Sequence, residues 1–333
     1  MFGRLNWVCL SDNFNIFKQV VRLQDSQEKN LLSSSHVPVM TGEVLEAISN
    51  SRDGVFLDGT LGLGGHAEAI LETYGGLSLL GVDLDSFAIG IAKKRLKRFD
   101  DRLSVHQASY VDMASICEQQ NVSEVSGVLL DLGISSLQIE TPGRGFSFKN
   151  DALLDMRFGQ NGDIKASDIV NFYQEVEIAD LIYKYGEERR SRRIAAAIVH
   201  NRPLETTGQL ARLIEDELGK GRSRIHPATK TFQALRIAVN DELENVQKGV
   251  ERALDILSPA ARLIVISYHS LEDRIVKRFF RRESSAASKF DGRGTHEDPR
   301  IRLITKKVIK PSRQEIIQNP RSRSAKLRIA ERI

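Results

Sequence analysis

Three aspartates each follow a short apolar run: Asp58 after Val55-Phe56-Leu57, Asp83 after Leu77 to Val82, and Asp131 after Val128-Leu129-Leu130. Between the first two lies Asp58-Gly59-Thr60-Leu61-Gly62-Leu63-Gly64-Gly65-His66, with four glycines in seven residues. Such glycines let a backbone turn sharply and approach a ligand, and a helix that follows presents free amides. Asp83, 25 residues after Asp58, suits the two hydroxyls of a ribose. Asp58 beside the glycine loop would repel a pyrophosphate and attract an ammonium or sulfonium, which favours S-adenosylmethionine over a dinucleotide. The competing reading of Asp58 is a helix cap. Asp131 is the leading candidate for chemistry. Tyr110, after the third run Leu103-Ser104-Val105, either packs on an adenine or belongs to the core.

These acids need a scaffold that brings three chain segments to one rim. The runs at 55–57, 77–82, 103–105, 128–130 and 263–266 read as strands, separated by helical stretches such as Phe87 to Phe99. That alternation predicts an α/β fold, a doubly wound Rossmann-like parallel sheet, with ligands at the carboxyl ends of the strands. The fourth and fifth strands stand too far apart for a simple crossover, so a helical insertion separates them. Ile178 to Tyr185, Arg189 to His200, Gly208 to Leu218 and Thr231 to Val250 read as its helices. The sheet domain is then discontinuous, over 36–140 and 245–333, with the inserted helical domain at 141–244. Residues 1–35 form an extension without sustained periodicity, expected to be disordered.

At roughly 150 residues per domain, 333 residues make one large or two moderate domains. A 28% share of charged residues excludes a membrane-embedded chain, and no apolar run nears the ~20 residues needed to span a bilayer. Two cysteines are too few for a disulfide framework and lack zinc-site spacing, so a reducing compartment and no metal are expected. The net charge of +4 is unevenly spread. Lys184 to Lys230 holds 11 Lys/Arg against 6 Asp/Glu, and Ile301 to Ile333 holds 10 against 2, which leaves the remaining chain acidic. Two basic segments on an acidic body point to a polyanion, nucleic acid before solvated helix faces.

Eight strings in order resemble the bacterial small-subunit ribosomal RNA cytosine-N(4) methyltransferase family, RsmH or MraW. They are Asp58 to His66, Leu129 to Ser136, Arg144 to Phe148, Leu154 to Arg157, Tyr185 to Arg189, His226 to Arg236, Ser267 to Arg274 and Asn319 to Ser324. The resemblance runs from His36 to Arg332. It implies an S-adenosylmethionine-dependent methyltransferase domain interrupted by a helical substrate-recognition domain. The implied reaction methylates one cytosine in the decoding region of 16S rRNA, in the cytoplasm. It also implies cofactor contacts at Gly64, Gly65, His66, Asp83, Tyr110, Asp131 and Gln138, beside Asp58 and Gly62 of the glycine loop. By chemistry alone His66 reads as a helix-start hydrogen-bonder and Gln138 as a solvated loop residue. The chain departs from the family in a longer extension before His36, in Leu137 where proline is common, and in a shorter stretch from Glu283 to Pro299.

A cytosine amine is a weak nucleophile because its lone pair is delocalised into the ring, so transfer needs in-line positioning and an acceptor on the amine hydrogens. Asp131 is expected in that role. The Arg144 to Phe148 loop would grip the base, with Phe146 or Phe148 either stacking on it or anchoring the loop. His269 either holds the base or a phosphate, or else the segment caps the next helix through Ser270 and Asp273. Lys230 and Arg236 near His226 would face the cleft, and some of Arg189, Arg190, Arg192 and Arg193 would pair with Glu187 and Glu188. Arg321, Arg323, Lys326 and Arg328 read as phosphate contacts, on an edge strand marked by Leu327 and Ile329. The rivals are an adenine amino methyltransferase, a non-catalytic RNA-binding assembly factor and, third, a dehydrogenase. Oligomeric state is left open, a homodimer included.

Overall fold

The computed structural model describes residues 37–48, 52–135, 138–139, 141, 143–159, 164–219, 226–285 and 298–333. The extension 1–35, Leu137 and most of the stretch from Glu283 to Pro299 lie outside them. Strands β1 (Asp53–Asp58), β2 (Gly76–Asp83), β3 (Leu103–Gln107), β4 (Val125–Asp131) and β5 (Leu257–Ser267) pair in parallel. Two more, β6 (Ile301–Leu303) and β7 (Lys326–Arg332), extend the sheet antiparallel, in the order β3-β2-β1-β4-β5-β7-β6. The five strands expected from the apolar runs are all present. Each is longer than its run because ladder pairing continues into polar residues, so Asp58, Asp83 and Asp131 are themselves strand residues, paired with Gly81, Gln107 and Ile266.

The runs at 55–57, 128–130 and 263–266 are apolar throughout because both faces of the sheet are covered there. Leu57, Val128, Leu130, Leu263 and Val265 point to one side, onto α4 (Met113–Gln119), α10 (Glu242–Ile256) and α11 (Ser270–Glu283). Phe56, Leu129, Ile264 and Ile266 alternate to the other, onto α1 (Thr41–Ile48), α2 (Gly65–Thr73) and α3 (Ser86–Arg95). Each fully buried side chain of this kind contributes about 1.5–3 kcal/mol relative to exposure.

Between β4 and β5 run α5 (Ala166–Phe172), α6 (Glu175–Gly186), α7 (Ser191–His200), α8 (Thr207–Leu218) and α9 (Thr229–Val239). They bury a cluster of their own that includes Ile169, Ile182, Ile198, Leu210 and Leu235. Two expectations are corrected here, and one helix is added. The helix read over Thr231 to Val250 is two helices, broken where Asp241 takes the left-handed conformation at φ 48°. Asn240, at the break, donates to the Met156 carbonyl at 2.8 Å and accepts from the Phe158 amide at 2.7 Å. Helix α5 carries no strong start signal and was not expected. Strand β7 is not an edge: it pairs with β5 on one side and β6 on the other, and both Leu327 and Ile329 are buried.

Candidate active site

The chain leaves β1 for β2 and β3, then returns to β4 on the other side of β1. The loops after β1 and β4 diverge at this switch point, where doubly wound sheets bind ligands. The β1 loop turns into α2 through Gly64, the N-cap residue, at φ 79°. A side chain there would be strained, and its Cβ would lie 3.0 Å from Leu96 Cδ1. No side chain caps α2, so Asp58 is not its cap.

Asp58 is only 1% exposed. Its Oδ1 accepts from the Thr60 amide at 3.1 Å and the Thr60 hydroxyl at 3.4 Å. That hydroxyl in turn accepts from the Asp131 amide at 2.7 Å, which stitches the end of β1 to the end of β4. Burial pushes the Asp58 carboxyl up to about 6; His66 and the Thr60 amide oppose the rise, while Asp131 and Asp83 add to it. Asp83 accepts from the Gly62 amide at 2.7 Å and the Asp85 amide at 2.9 Å, clamping the glycine loop to the end of β2. Burial raises its carboxyl too, against those amides. The Leu84 amide also lies against the carboxylate, which still keeps acceptor capacity to spare.

Asp131 Oδ1 accepts from the Tyr268 hydroxyl at 2.9 Å, and Oδ2 lies 3.5 Å from His66 Nε2. His66 sits in the first turn of α2, buried, with neither ring nitrogen hydrogen-bonded in the protein. Leaving a buried polar group unpaired costs about 1–3 kcal/mol, so its nitrogens are available to a ligand. Among the described residues no lysine or arginine pairs with Asp58, Asp83 or Asp131. Carboxylates without a lysine or arginine partner, an imidazole without a hydrogen bond and a tight glycine turn fit a cationic nucleoside such as S-adenosylmethionine, and they disfavour a pyrophosphate.

Other residues singled out in the sequence are placed less directly. The Tyr110 ring packs in the core against Gly249 of α10, where an added Cβ would collide with Cε2. Burial, with Glu242 and Glu272 nearby, pushes its phenol above the usual tyrosine range. Gln138 is buried and not solvated: its Oε1 accepts from the Ser135 amide at 3.0 Å, and its own amide donates to Ser135 Oγ at 3.2 Å.

The two loop phenylalanines make protein contacts of the kind the anchoring reading expects. Phe146 stacks on Phe158 at 5.6 Å, and Phe148 meets Phe232 edge-on at 4.9 Å and His226 at 4.6 Å. Arg144 donates to Asp85 at 2.9 Å and to the Phe158 carbonyl at 2.7 Å. Lys230 is half exposed and donates to the Glu187 carbonyl at 2.9 Å. Arg236 corrects the cleft expectation, since it is turned inward and holds both oxygens of buried Glu242, at 2.6 and 2.7 Å.

His269, not Ser270, is the N-cap of α11, and Glu272 completes the box by accepting from the His269 amide at 3.2 Å. Sequence reasoning placed this signal one residue late because histidine is an uncommon cap. Glu242, His269 and Glu272 bring potential ligand atoms within 4.8 Å of one another, but the guanidinium of Arg236 already occupies Glu242. Thr60, Tyr268 and Glu272 were missed altogether. The glutamate three residues after His269 was the signal for the last.

The basic segments are partly neutralised. Arg190 pairs with Glu188 at 3.1 Å, as expected, whereas Glu187 pairs with Arg274 at 2.9 Å and Arg193 with Glu217. In the tail, Arg328 is buried against Asp273 at 2.7 Å, which removes it from the phosphate contacts, while Arg321 and Arg323 are exposed. No described helix is long and apolar enough to cross a membrane.

A parallel sheet with carboxylates at its switch point and a glycine turn between them defines a nucleoside-cofactor enzyme of the doubly wound class. The model of the MraW methylase family matches residues 33–333, and the chain belongs to that family. It is 46% identical over 307 residues to ribosomal RNA small subunit methyltransferase H of Dehalococcoides mccartyi, covering 91% of this chain and 88% of that protein. It is also 46% identical over 307 residues to the protein of the same name from Granulibacter bethesdensis, with 90% and 92% covered. The Kosmotoga olearia protein of that name is 43% identical over 306 residues, with 90% and 98% covered.

Proposed function

We propose that this protein transfers a methyl group from S-adenosylmethionine to the exocyclic N4 amine of one cytosine in the decoding region of 16S rRNA, within the small ribosomal subunit and in the cytoplasm. The observation that carries the reading is the convergence of Asp131 and Asp83 on Asp58, without a pairing lysine or arginine, with the ring of His66, which lacks a hydrogen-bond partner, beside Asp58 and Asp131. Relatives that share nearly half of their residues with this chain bear the name of a small-subunit rRNA methyltransferase.

When bound, S-adenosylmethionine supplies an electrophilic methyl group on a sulfonium. Asp83 would take the ribose hydroxyls with its spare lone pairs, and the turn at Gly62, Gly64 and Gly65 would let the nucleoside lie close to the backbone. Asp58 and His66 would face the charged amino-acid portion. Asp131 would accept a hydrogen from the cytosine amine, favouring a pyramidal nitrogen and stabilising the positive charge that develops on it. The exposed arginines of the tail and Lys230 would meet RNA phosphates.

Titration calorimetry with S-adenosylmethionine and, separately, with NAD tests the cofactor half of the reading. Binding of the first and not the second is expected. Binding of NAD in its place would overturn it.

A further inference from the structure

We propose that Tyr268 is a positioning residue for the transfer, whose hydroxyl fixes the plane of the Asp131 carboxylate and leaves Oδ2 as the oxygen that accepts from the amine. The proposal rests on the reading of Asp131 above. Nothing in the motifs assigns Tyr268 a role, yet it is the one side chain among the described residues that donates a hydrogen bond to Asp131.

Four observations carry it. The terminal torsion of an aspartate is broad and nearly two-fold, so a carboxylate held only through its backbone presents either oxygen in many orientations. The 2.9 Å bond from Tyr268 to Oδ1 removes that freedom. The phenol keeps the proton it donates, because burial first and the Asp131 charge second push its proton loss well above the ordinary range, with Glu272 and Glu315 adding to the shift. The tyrosine ring is closely approached by the backbone of the following loop: a Cβ on Gly133, at φ +99° two residues past Asp131, would lie 3.1 Å from Tyr268 Cδ2. The loop after β4 therefore closes onto the ring only because position 133 is glycine.

The backbone of Tyr268 is held from the other side. Glu272, 1% exposed, accepts from the Tyr268 amide at 2.8 Å, and His269 Nε2 lies 3.1 Å from its Oε1. Register supplies the rest, since Asp131 pairs with Ile266 and the Leu132 amide donates to the Ile266 carbonyl at 2.9 Å. The chain Glu272, Tyr268, Asp131 thus ties the α11 cap to the acceptor oxygen. A carboxylate displaced by about 1 Å from its productive position costs on the order of a hundredfold in rate.

The test is Tyr268→Phe, which removes the hydroxyl and keeps the ring on Gly133, assayed by methyl transfer to unmodified small subunits. The expected result is a kcat lower by roughly ten- to a hundredfold, with KM for the subunits and Kd for S-adenosylmethionine unchanged. Combined with Asp131→Asn, it is expected to slow turnover no further than Asp131→Asn alone. A wild-type kcat in Tyr268→Phe, a loss confined to KM, or losses that multiply in the double variant would overturn the assignment. If Asp131→Asn alone turns over at the wild-type rate, the reading of Asp131 fails instead, and the proposal with it.

Discussion

Arg144 and Asp85 form an ion pair at 2.9 Å that spans from the loop before the inserted helices to the cap of α3. Asp85 Oδ1 accepts from the Phe87 amide at 3.1 Å, while its own amide donates to Asp83 at 2.9 Å. One guanidinium therefore links the carbonyls of Arg157 and Phe158 to the strand end assigned to the ribose. The loop carrying Arg144 is thereby tied to the end of β2.

Arg144→Ala should accordingly act on the fold and the cofactor. It leaves Oδ2 of buried Asp85 without its partner, at a cost of about 1–3 kcal/mol in stability, and it should weaken S-adenosylmethionine binding. Because the pair is internal, the salt dependence of RNA binding should not change. A slope reduced by about one in a log–log plot would instead make Arg144 a phosphate contact.

Asp58 makes stability depend on pH with a definite sign. Its folded value of about 6 exceeds the usual 3.8, so the folded state holds the proton more tightly. The contribution is fully present below about pH 4 and is lost as pH rises through about 6. Asp58→Asn should therefore be more stable than the wild-type protein near neutral pH and above, by on the order of 2–3 kcal/mol without cofactor, and the difference should vanish below about pH 4. Urea melts of both proteins across that range check this. A difference that does not vary with pH would contradict it.

Removing Arg236 leaves Glu242 as an uncompensated buried charge. Arg236→Ala should lose about 3–5 kcal/mol of stability, while a paired apolar replacement of both residues should lose much less. Denaturant midpoints measure both. A stable Arg236→Ala with weakened RNA affinity would restore the cleft role that the structure withdraws.

Arg323 is exposed on the turn before β7 and is a fair test of the tail. Its replacement by alanine should weaken RNA binding and reduce the salt slope by about one, leaving cofactor affinity alone. Arg328→Ala, by contrast, should show up as instability, because the Arg328 side chain is itself buried against Asp273.

The parts of this fold that are legible in the sequence are those dictated by short-range patterns. Doubly covered strands read as unbroken apolar runs, and the acids that end them mark the rim, so Asp58, Asp83 and Asp131 were visible before any coordinates. The partners of those acids were not. Tyr268 reaches Asp131 across 137 positions and Asn240 reaches Met156 across 84, and no local pattern encodes either contact. Charge was the least legible property. Arg236 and Arg328 look in sequence like any other basic residue, and only packing shows that each neutralises a carboxylate inside the molecule. The break at Asp241 was hidden for a related reason, since it carries no glycine or proline and Asn240 stabilises it through a distant loop.

Asp131→Asn keeps the size of the side chain and removes its charge. It should stay folded and lose turnover by roughly a hundredfold or more, with the label-transfer assay as the readout. Near-normal turnover would take Asp131 out of the chemistry.

The most direct measurement is to incubate the protein with methyl-labelled S-adenosylmethionine and small ribosomal subunits lacking the modification, then digest the RNA and identify the labelled nucleoside. Label should appear as N4-methylcytidine at a single position in the decoding region. Label in a methylated adenosine, or none despite bound cofactor, would contradict the account.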